Sequence, residues 1–402
     1  AHWITICEDI WPTFDPFCHA RYSVDPLKEF EGKNLDLLIN ISASPYSFGK
    51  TKTRKKVAKA VALRLNCPVL LVNQVGAQDG LIFDGTSVVV DATGKLCVRL
   101  ASFSEDQTCF DSNVAHVAHE MQFQPGQELF DALVLGVRDY FYKQGFTKAC
   151  LGLSGGIDSA VVAAIAVDAL GKENVLGLLL PSRFTTDESR EDALQLAAHL
   201  GIQTKEISIE EPFVAFLNTL EPHFGKGPLT VTEENIQSRL RGMLLMAISN
   251  KWGYLLLNTG NKSELAMGYT TLYGDACGAL GVIGDLLKRQ VYEVASWINR
   301  EGKVIPERVV TKAPTAELRS NQKDTDTLPP YPILDAIVEA FVVRGETAEE
   351  ISKKQGYDPA FVHGVCRQIH FSEYKRRQAP LHLRVSEKAF SSGRRVPIVH
   401  RF

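Results

Sequence analysis

The sequence contains no GxxxxGK[ST] run and no GxGxxG, so neither a Walker-type phosphate loop nor a dinucleotide fingerprint explains it. Its eight cysteines form no CxxC pair and no Cys/His cluster at metal-ligand spacing, which argues against a structural zinc site or a redox dithiol. Scattered free thiols of this kind suit a reducing cytoplasm. No apolar run reaches membrane-spanning length, and no basic-then-apolar leader opens the chain. Neither sign of charge is in excess. Lys and Arg total 44 against 47 Asp and Glu, a net charge of -3, which gives no general pull toward nucleic acid or an anionic membrane. Repeats and low-complexity tracts are absent as well. What is present is an average globular composition, 45% hydrophobic and 23% charged, in 402 residues. That length exceeds one ordinary core, so two domains are expected.

The chain opens on AHWITICEDIW, without an initiator Met and directly in what reads as a strand with its exit loop. The expectation is that part of a longer protein precedes it. Residues 1 to about 118 alternate apolar runs (37–41, 69–75, 87–91) with Ser-, Gly- and Pro-rich loops, and 53–66 has the spacing of an amphipathic helix. A polar link follows around 116–127. From Glu128 the pattern becomes strand–helix alternation: helix 129–144, strand 148–153, helix 158–170, strand 175–180, helix 188–200, strand 204–208, helix 234–251, strand 254–258 and helix 286–301. Such alternation makes a parallel sheet covered by helices on both faces. The Gly- and Pro-rich stretch 221–232 reads as a mobile lid. The basic end of the chain reads as a solvated or subunit-facing tail.

The sharpest motif is Ser154-Gly155-Gly156-Ile157-Asp158-Ser159, between an apolar strand (ending at Gly152 and Leu153) and an apolar helix. Glycines let backbone N–H groups approach an anion, the two serines add hydroxyl donors, and the helix N-terminus adds partial positive charge. Taken alone, the six residues also describe a Gly-rich strand-to-helix turn with a Ser cap.

SGGIDS resembles the pyrophosphate loop of the ATP pyrophosphatases, which split ATP between its α and β phosphates to adenylate a substrate. Further runs resemble the NAD synthetase branch of that superfamily. They are LPSR at 180–183, NIQSRLR at 235–241, LNTGNKSE at 257–264, GYT at 268–270, YGD at 273–275, Lys288, PTAEL at 314–318 and Tyr374-Lys375. Each alone could be a surface charge or a cap, but their ordered occurrence across about 230 residues is hard to produce by chance. The resemblance implies a doubly wound parallel-sheet ATP-pyrophosphatase (adenine nucleotide α-hydrolase-like) domain at 128–402. It implies that Gly152, Leu153, Ser154, Gly155, Gly156, Ile157, Asp158, Ser159, Thr259, Lys288 and Thr315 meet ATP. Asn235, Arg239, Glu264 and Lys375 would meet deamido-NAD, and Asp158 and Glu264 would hold Mg2+. The nicotinate carboxylate would be adenylated and then amidated, releasing AMP and pyrophosphate. Ammonia-only relatives often carry a lysine where this chain has Leu272, which points to the glutamine-using branch.

Residues 6–11 (ICEDIW), NISASPYSFGK at 40–50, NQVG at 73–76 and FDG at 83–85 resemble the nitrilase-like (carbon-nitrogen hydrolase) glutaminase fused to such synthetases. The resemblance makes residues 1–118 a partial nitrilase-like α/β sandwich, with 119–127 as linker. Cys7 would be the nucleophile, and Ser44 and Lys50 would contact glutamine. In the family the Glu base and the oxyanion-stabilising Lys precede the Cys. With six residues before Cys7, the expectation is that this chain alone does not hydrolyse glutamine, and that apolar sheet edges are left uncovered. The family also implies a homo-oligomer, at least a dimer through the synthetase domain. Two other readings stay open at this stage: another ATP pyrophosphatase such as GMP synthetase, or a non-catalytic nucleotide-binding fragment. The nitrilase-type front and the TGNKSE…GYT…YGD series favour the NAD branch over the former, and the full set of charged synthetase residues over the latter.

Overall fold

The computed structural model describes residues 2–11, 24–111, 114, 118, 122–390, 393–394 and 396–399. Parts of the 116–127 link and of the basic tail lie outside the described residues. The chain divides into two compact units, Ala1–Phe123 and Gln124–Phe402.

In the first unit, strands β1 (His2–Ile6), β2 (Leu37–Ser42), β3 (Val69–Asn73), β6 (Val88–Val90) and β7 (Leu96–Arg99) form one sheet in the order β1-β2-β3-β6-β7. The first three are parallel and the last two antiparallel. Strands β4 (Val75–Gln78) and β5 (Leu81–Asp84) make a separate hairpin. Helix α1 (Lys50–Leu65) buries Val57, Ala58, Val61 and Ala62 against Leu38, Val69 and Leu71 on one sheet face. Each such Val or Leu side chain contributes about 1.5–3 kcal/mol when fully buried, and each Ala less. On the opposite face, alternate residues Ile4, Ile6, Ile41 and Val72 are exposed, and β1 is an edge strand.

In the second unit, six parallel strands run in the order β10-β9-β8-β11-β12-β13. They are β8 (Ala149–Gly152), β9 (Val175–Leu179), β10 (Gln203–Glu206), β11 (Leu255–Asn258), β12 (Leu280–Gly281) and β13 (Leu381–His382). The chain winds outward from β8 to β10, then returns to start the other half at β11. This is the doubly wound arrangement that the alternation implies. Its switch point lies between β8 and β11, where the carboxyl ends of the strands open a crevice. Helix α3 (Ile157–Leu170) is apolar on every side because it is enclosed by the sheet, α2 (Gln127–Gln144) and α8 (Lys288–Ile298). Helix α4 (Asp187–Leu200) follows β9 and is capped by the Thr186 side chain. Helices α5 (Glu210–Phe224) and α6 (Val231–Trp252) pack together. Short α7 (Lys262–Met267) and α9 (Glu307–Thr311) follow, then α10 (Tyr331–Val338), α11 (Ala348–Gln355) and α12 (Pro359–Phe371). The last three form a helical layer around Leu334, Ile337, Ile351, Val362 and Ile369.

Two expectations need correction here. The stretch 221–232, read as a mobile lid, is helical at both ends: 221–224 end α5, and 231–232 begin α6 behind a Thr230–Glu233 capping box. Pro222 sits in the last turn of α5, where its missing N–H costs the bond to the Asn218 carbonyl, and the helix ends two residues later. The basic end is not a solvated tail throughout. Arg376 is buried, donates to the carbonyls of Leu265 and Ala266 at 3.1 and 3.0 Å, and lies over the Phe390 ring. Leu383, Val385 and Ala389 are buried, and β13 extends the sheet.

Candidate active site

The loop after β8 turns on itself through its own side chains. The Gly156 N–H donates to Ser154 Oγ at 3.2 Å, the Ser154 N–H to Ser159 Oγ at 3.3 Å, and Ser159 Oγ to the Gly156 carbonyl at 3.0 Å. Gly155 takes φ +73, and a methyl placed on it would lie 2.2 Å from the Ser189 carbonyl oxygen. Only glycine lets the loop lie against the first turn of α4. Gly156 caps α3, so the free N–H groups of that helix open at the switch point, with Asp158 in the first turn.

Behind the loop sits a charged cluster. The Lys288 ammonium, at the start of α8, donates to Asp158 Oδ2 at 2.5 Å and lies 3.7 Å from Glu264 Oε1. Asn261 Nδ2 donates to the other Asp158 oxygen at 3.0 Å, and Asn261 also caps α7, the helix that carries Glu264. Burial, reinforced by repulsion from Asp158 and only partly offset by Lys288, pushes the Glu264 carboxyl up to about 8. Burial alone would lower Lys288, but Asp158 and Glu264 outweigh it and hold the ammonium above its ordinary range. Asp324 faces the same cavity. It accepts from the Tyr331 and Tyr269 hydroxyls at 2.8 and 3.4 Å, and burial raises its carboxyl, partly offset by the Tyr331 bond.

Two cavities meet here. One of about 270 Å³ runs from Gly152 and Leu153 past Leu180, Arg241 and Thr259 to Thr315. A second of about 160 Å³ holds Asp158, Glu264, Lys288, Lys312 and Asp324. Ser154, Ser189, Asp275, Thr315, Ala316 and Glu317 line both. The first is apolar along the strands and polar at one end, as a nucleotide base and sugar require. Among the described residues no group of three or more His, Cys, Asp or Glu is arranged to hold a metal. A pair of hard carboxylates short of positive charge still suits Mg2+, which keeps several waters and takes phosphate oxygens as further ligands.

The remaining predicted dinucleotide contacts converge on the 268–275 loop. Asn235 Oδ1 accepts from Thr271 Oγ1 at 2.7 Å, Arg239 Nε donates to the Leu272 carbonyl at 3.2 Å, and Lys375 Nζ donates to the carbonyls of Gly268 and Thr270 at 2.7 Å. Asp324, Lys312 and Glu317 were not singled out individually from the sequence. Asp324 and Lys312 lie in polar stretches without periodicity, and only the fold brings them to the site. Glu317 lies inside the PTAEL run, whose spacing marked the turn but not this side chain. It adopts φ +49 and accepts from Thr186 Oγ1 and Ser189 Oγ at 3.0 and 2.7 Å, fastening the 312–318 segment to α4.

In the first unit, Cys7 follows β1 at φ +45, a conformation a non-glycine residue adopts at some cost. Its carbonyl accepts from Asn40 at 3.3 Å. The Ser44 N–H donates to Asn73 Oδ1 at 2.9 Å, and the Lys50 ammonium lies 5.8 Å from the Trp11 ring centre. A buried Arg54–Asp84 pair ties α1 to the end of β5, with Thr51 and Thr86 also donating to Asp84.

A phosphate loop at the switch point of a parallel sheet, with carboxylates and a lysine behind it, defines a nucleotide-using α/β enzyme. Residues 129–379 match the family described as NAD synthase, and residues 23–116 that described as carbon-nitrogen hydrolase. The chain is 47% identical over 405 residues to the glutamine-dependent NAD(+) synthetase of Synechocystis, covering 99% of this chain and 72% of that protein. It is 41% identical to the enzyme of the same description from Thermotoga maritima, covering 99% and 74%. A solved glutamine-dependent NAD+ synthetase from Acinetobacter baumannii, in complex with ADP, superposes with TM-score 0.72 at 40% identity, covering 99% of this chain and 72% of that one. The chain belongs to the glutamine-dependent NAD(+) synthetase family.

Proposed function

We propose that this chain amidates deamido-NAD to NAD at the expense of ATP, and that the residues assembled at the β8/β11 switch point carry the reaction. The observation that carries this reading is the meeting of the Ser154–Ser159 loop with Asp158, Glu264 and Lys288 in one crevice, in a chain 47% identical to a curated glutamine-dependent NAD(+) synthetase. The loop amides and the α3 N-terminus receive the phosphates, and the Leu180–Thr259 cavity receives the base and sugar. A nicotinate carboxylate oxygen attacks the α phosphorus, the α–β bridging bond breaks, and pyrophosphate leaves with the electron pair. Ammonia then adds to the acyl carbon, a proton is lost, and AMP leaves. Lys288 sets a fixed positive charge beside the departing pyrophosphate, and Thr259 and Thr315 orient the nucleotide. Mg2+, held by Asp158 and Glu264, supplies charge neutralisation when bound. Side chains form no bond to substrate here, so positioning and charge provide the rate.

Asn235, Arg239 and Lys375 shape the deamido-NAD end through the 268–275 loop. In the nitrilase-like part, residues 1–118, Cys7 stands at the family's nucleophile position and Ser44 and Lys50 at its glutamine-contact positions; the 119–127 linker joins this part to the synthetase part. The division after Phe123 and the two family matches support those boundaries. We assign the protein to the cytoplasm, a reading that the unpaired cysteines support. No described helix is long and apolar enough to cross a membrane. The resemblance to the family is what supports a homo-oligomer, at least a dimer. The test is AMP release from ATP, Mg2+ and ammonium with deamido-NAD, against xanthosine monophosphate in its place. Turnover with deamido-NAD alone is expected. Turnover with xanthosine monophosphate, or none with deamido-NAD in a folded sample, would overturn the reading.

A further inference from the structure

We propose that Asp335, outside both cavities, is the positioning residue that fixes Lys288 relative to Glu264. Lys288 and Arg289 open α8, and their N–H groups have no partner within the helix. Asp335, buried on α10, supplies what is missing. Its Oδ2 accepts from the Arg289 N–H at 2.8 Å, and its Oδ1 accepts from Ser263 Oγ at 2.5 Å. Ser263 Oγ in turn accepts from the Lys288 N–H at 3.1 Å. Ser263 is the residue before Glu264 on α7. One carboxylate therefore joins the N-terminus of the helix carrying Lys288 to the helix carrying Glu264. The bonds run Asp335–Ser263–Lys288 on one side and Asp335–Arg289 on the other. The two site residues face the cavity while the backbone between them is held from behind.

The geometry also explains why the KSE run needs its first two residues. Lys262 points away from the site and is fully buried. It donates to Asp285 Oδ1 at 2.7 Å, Ser386 Oγ at 2.7 Å and the Lys388 carbonyl at 2.9 Å, anchoring the same N-terminal end of α7 to the segment after β13. Ser263 and Lys262 thus hold the frame from which Glu264 projects. A shift of about 1 Å in a group that stabilises charge in the transition state can cost a hundredfold in rate, so the relay bears on turnover although it touches no substrate.

This inference rests on the reading of Lys288 as a group acting on ATP, and a double-mutant cycle separates the two. Steady-state AMP formation with deamido-NAD and ammonium is measured for the whole chain, for Asp335→Asn, for Lys288→Ala and for both together. Asn keeps the volume and one acceptor but loses one of the two accepting oxygens. The expected result is a fall in kcat of about thirtyfold for Asp335→Asn, about 2 kcal/mol, with the KM for deamido-NAD changed by less than about threefold. In the Lys288→Ala background the same substitution is expected to lower kcat by no more than about twofold, because its effect runs through Lys288. An equal fall in both backgrounds, or no fall in the first, overturns the positioning role. A normal kcat for Lys288→Ala overturns the underlying reading of Lys288 instead. Should Asp335→Asn fail to fold, Ser263→Ala breaks the same relay at the Lys288 N–H while leaving the Asp335–Arg289 bond. The same non-additivity with Lys288→Ala is then expected, and additivity refutes the role.

Discussion

Adding one methyl group at Gly155 should disable the enzyme more than it destabilises the fold. Gly155 has φ +73, and a left-handed conformation costs a non-glycine residue about 1–2 kcal/mol. The added carbon would also stand 2.2 Å from the Ser189 carbonyl oxygen and 2.8 Å from its carbonyl carbon, both backbone atoms in the first turn of α4. A contact of about 3 Å, already tight, demands a displacement of about 0.8 Å. Overpacking of that size costs about 1–3 kcal/mol. The total for Gly155→Ala is therefore about 2–5 kcal/mol of stability, a shift of several degrees in a cooperative melt. The same 0.8 Å displaces the amides proposed to receive the phosphates, and misplacement of about 1 Å corresponds to a loss of about a hundredfold in rate. Melting temperature and AMP formation, measured on the same preparation, read the two effects separately. A variant with activity within about threefold of the parent would refute the close approach of the loop to α4.

Asp158→Asn should lower pyrophosphate release by at least about a hundredfold while moving the melting temperature by only a few degrees; near-normal release would remove Asp158 from the phosphate site. Acid stability should report His382, which packs against Gly281 and Gly284 and which burial, slightly opposed by Asp285, holds down at about 4. From pH 6.5 downward the unfolded chain takes up a proton the folded chain refuses. The stability present in full above 6.5 is therefore lost on acidification, by about 2 kcal/mol at pH 5. His382→Asn should flatten this difference between pH 7 and 5, and an unchanged slope would count against it. Asp84→Ala should cost about 3–5 kcal/mol by leaving Arg54 buried without its carboxylate, as read by urea unfolding of the first unit. A loss under about 1 kcal/mol would show that water reaches Arg54.

The parts of the site that were legible in the sequence are those built from contiguous residues under strong local constraint. Gly155 and Gly156 between an apolar strand and an apolar helix admit few structures, and alternation of apolar runs marked β8 to β11, whereas β12 and β13, two residues each, are too short to carry a pattern. Helix α5 was missed because Pro212, Pro222 and the following Gly225 suggest a loop. The first lies in the opening turn, where proline is tolerated, and the second interrupts only the closing turn, two residues before the helix ends. The basic end misled for a different reason. Arg376 is a charged residue whose burial is made possible by carbonyls of residues about 110 positions earlier, and no local pattern records them. Asp324 and Asp335 were hidden in the same way, as single acidic residues whose meaning depends on partners from α7, α8 and the loops around them.

The most direct test of the account follows the phosphorus atoms of ATP. With ATP, Mg2+, deamido-NAD and ammonium, 31P NMR should show AMP and pyrophosphate appearing together, one of each per NAD formed. ADP and inorganic phosphate in their place would mean that the crevice between β8 and β11 activates the γ phosphate. That result would contradict the adenylation chemistry assigned to Asp158, Glu264 and Lys288.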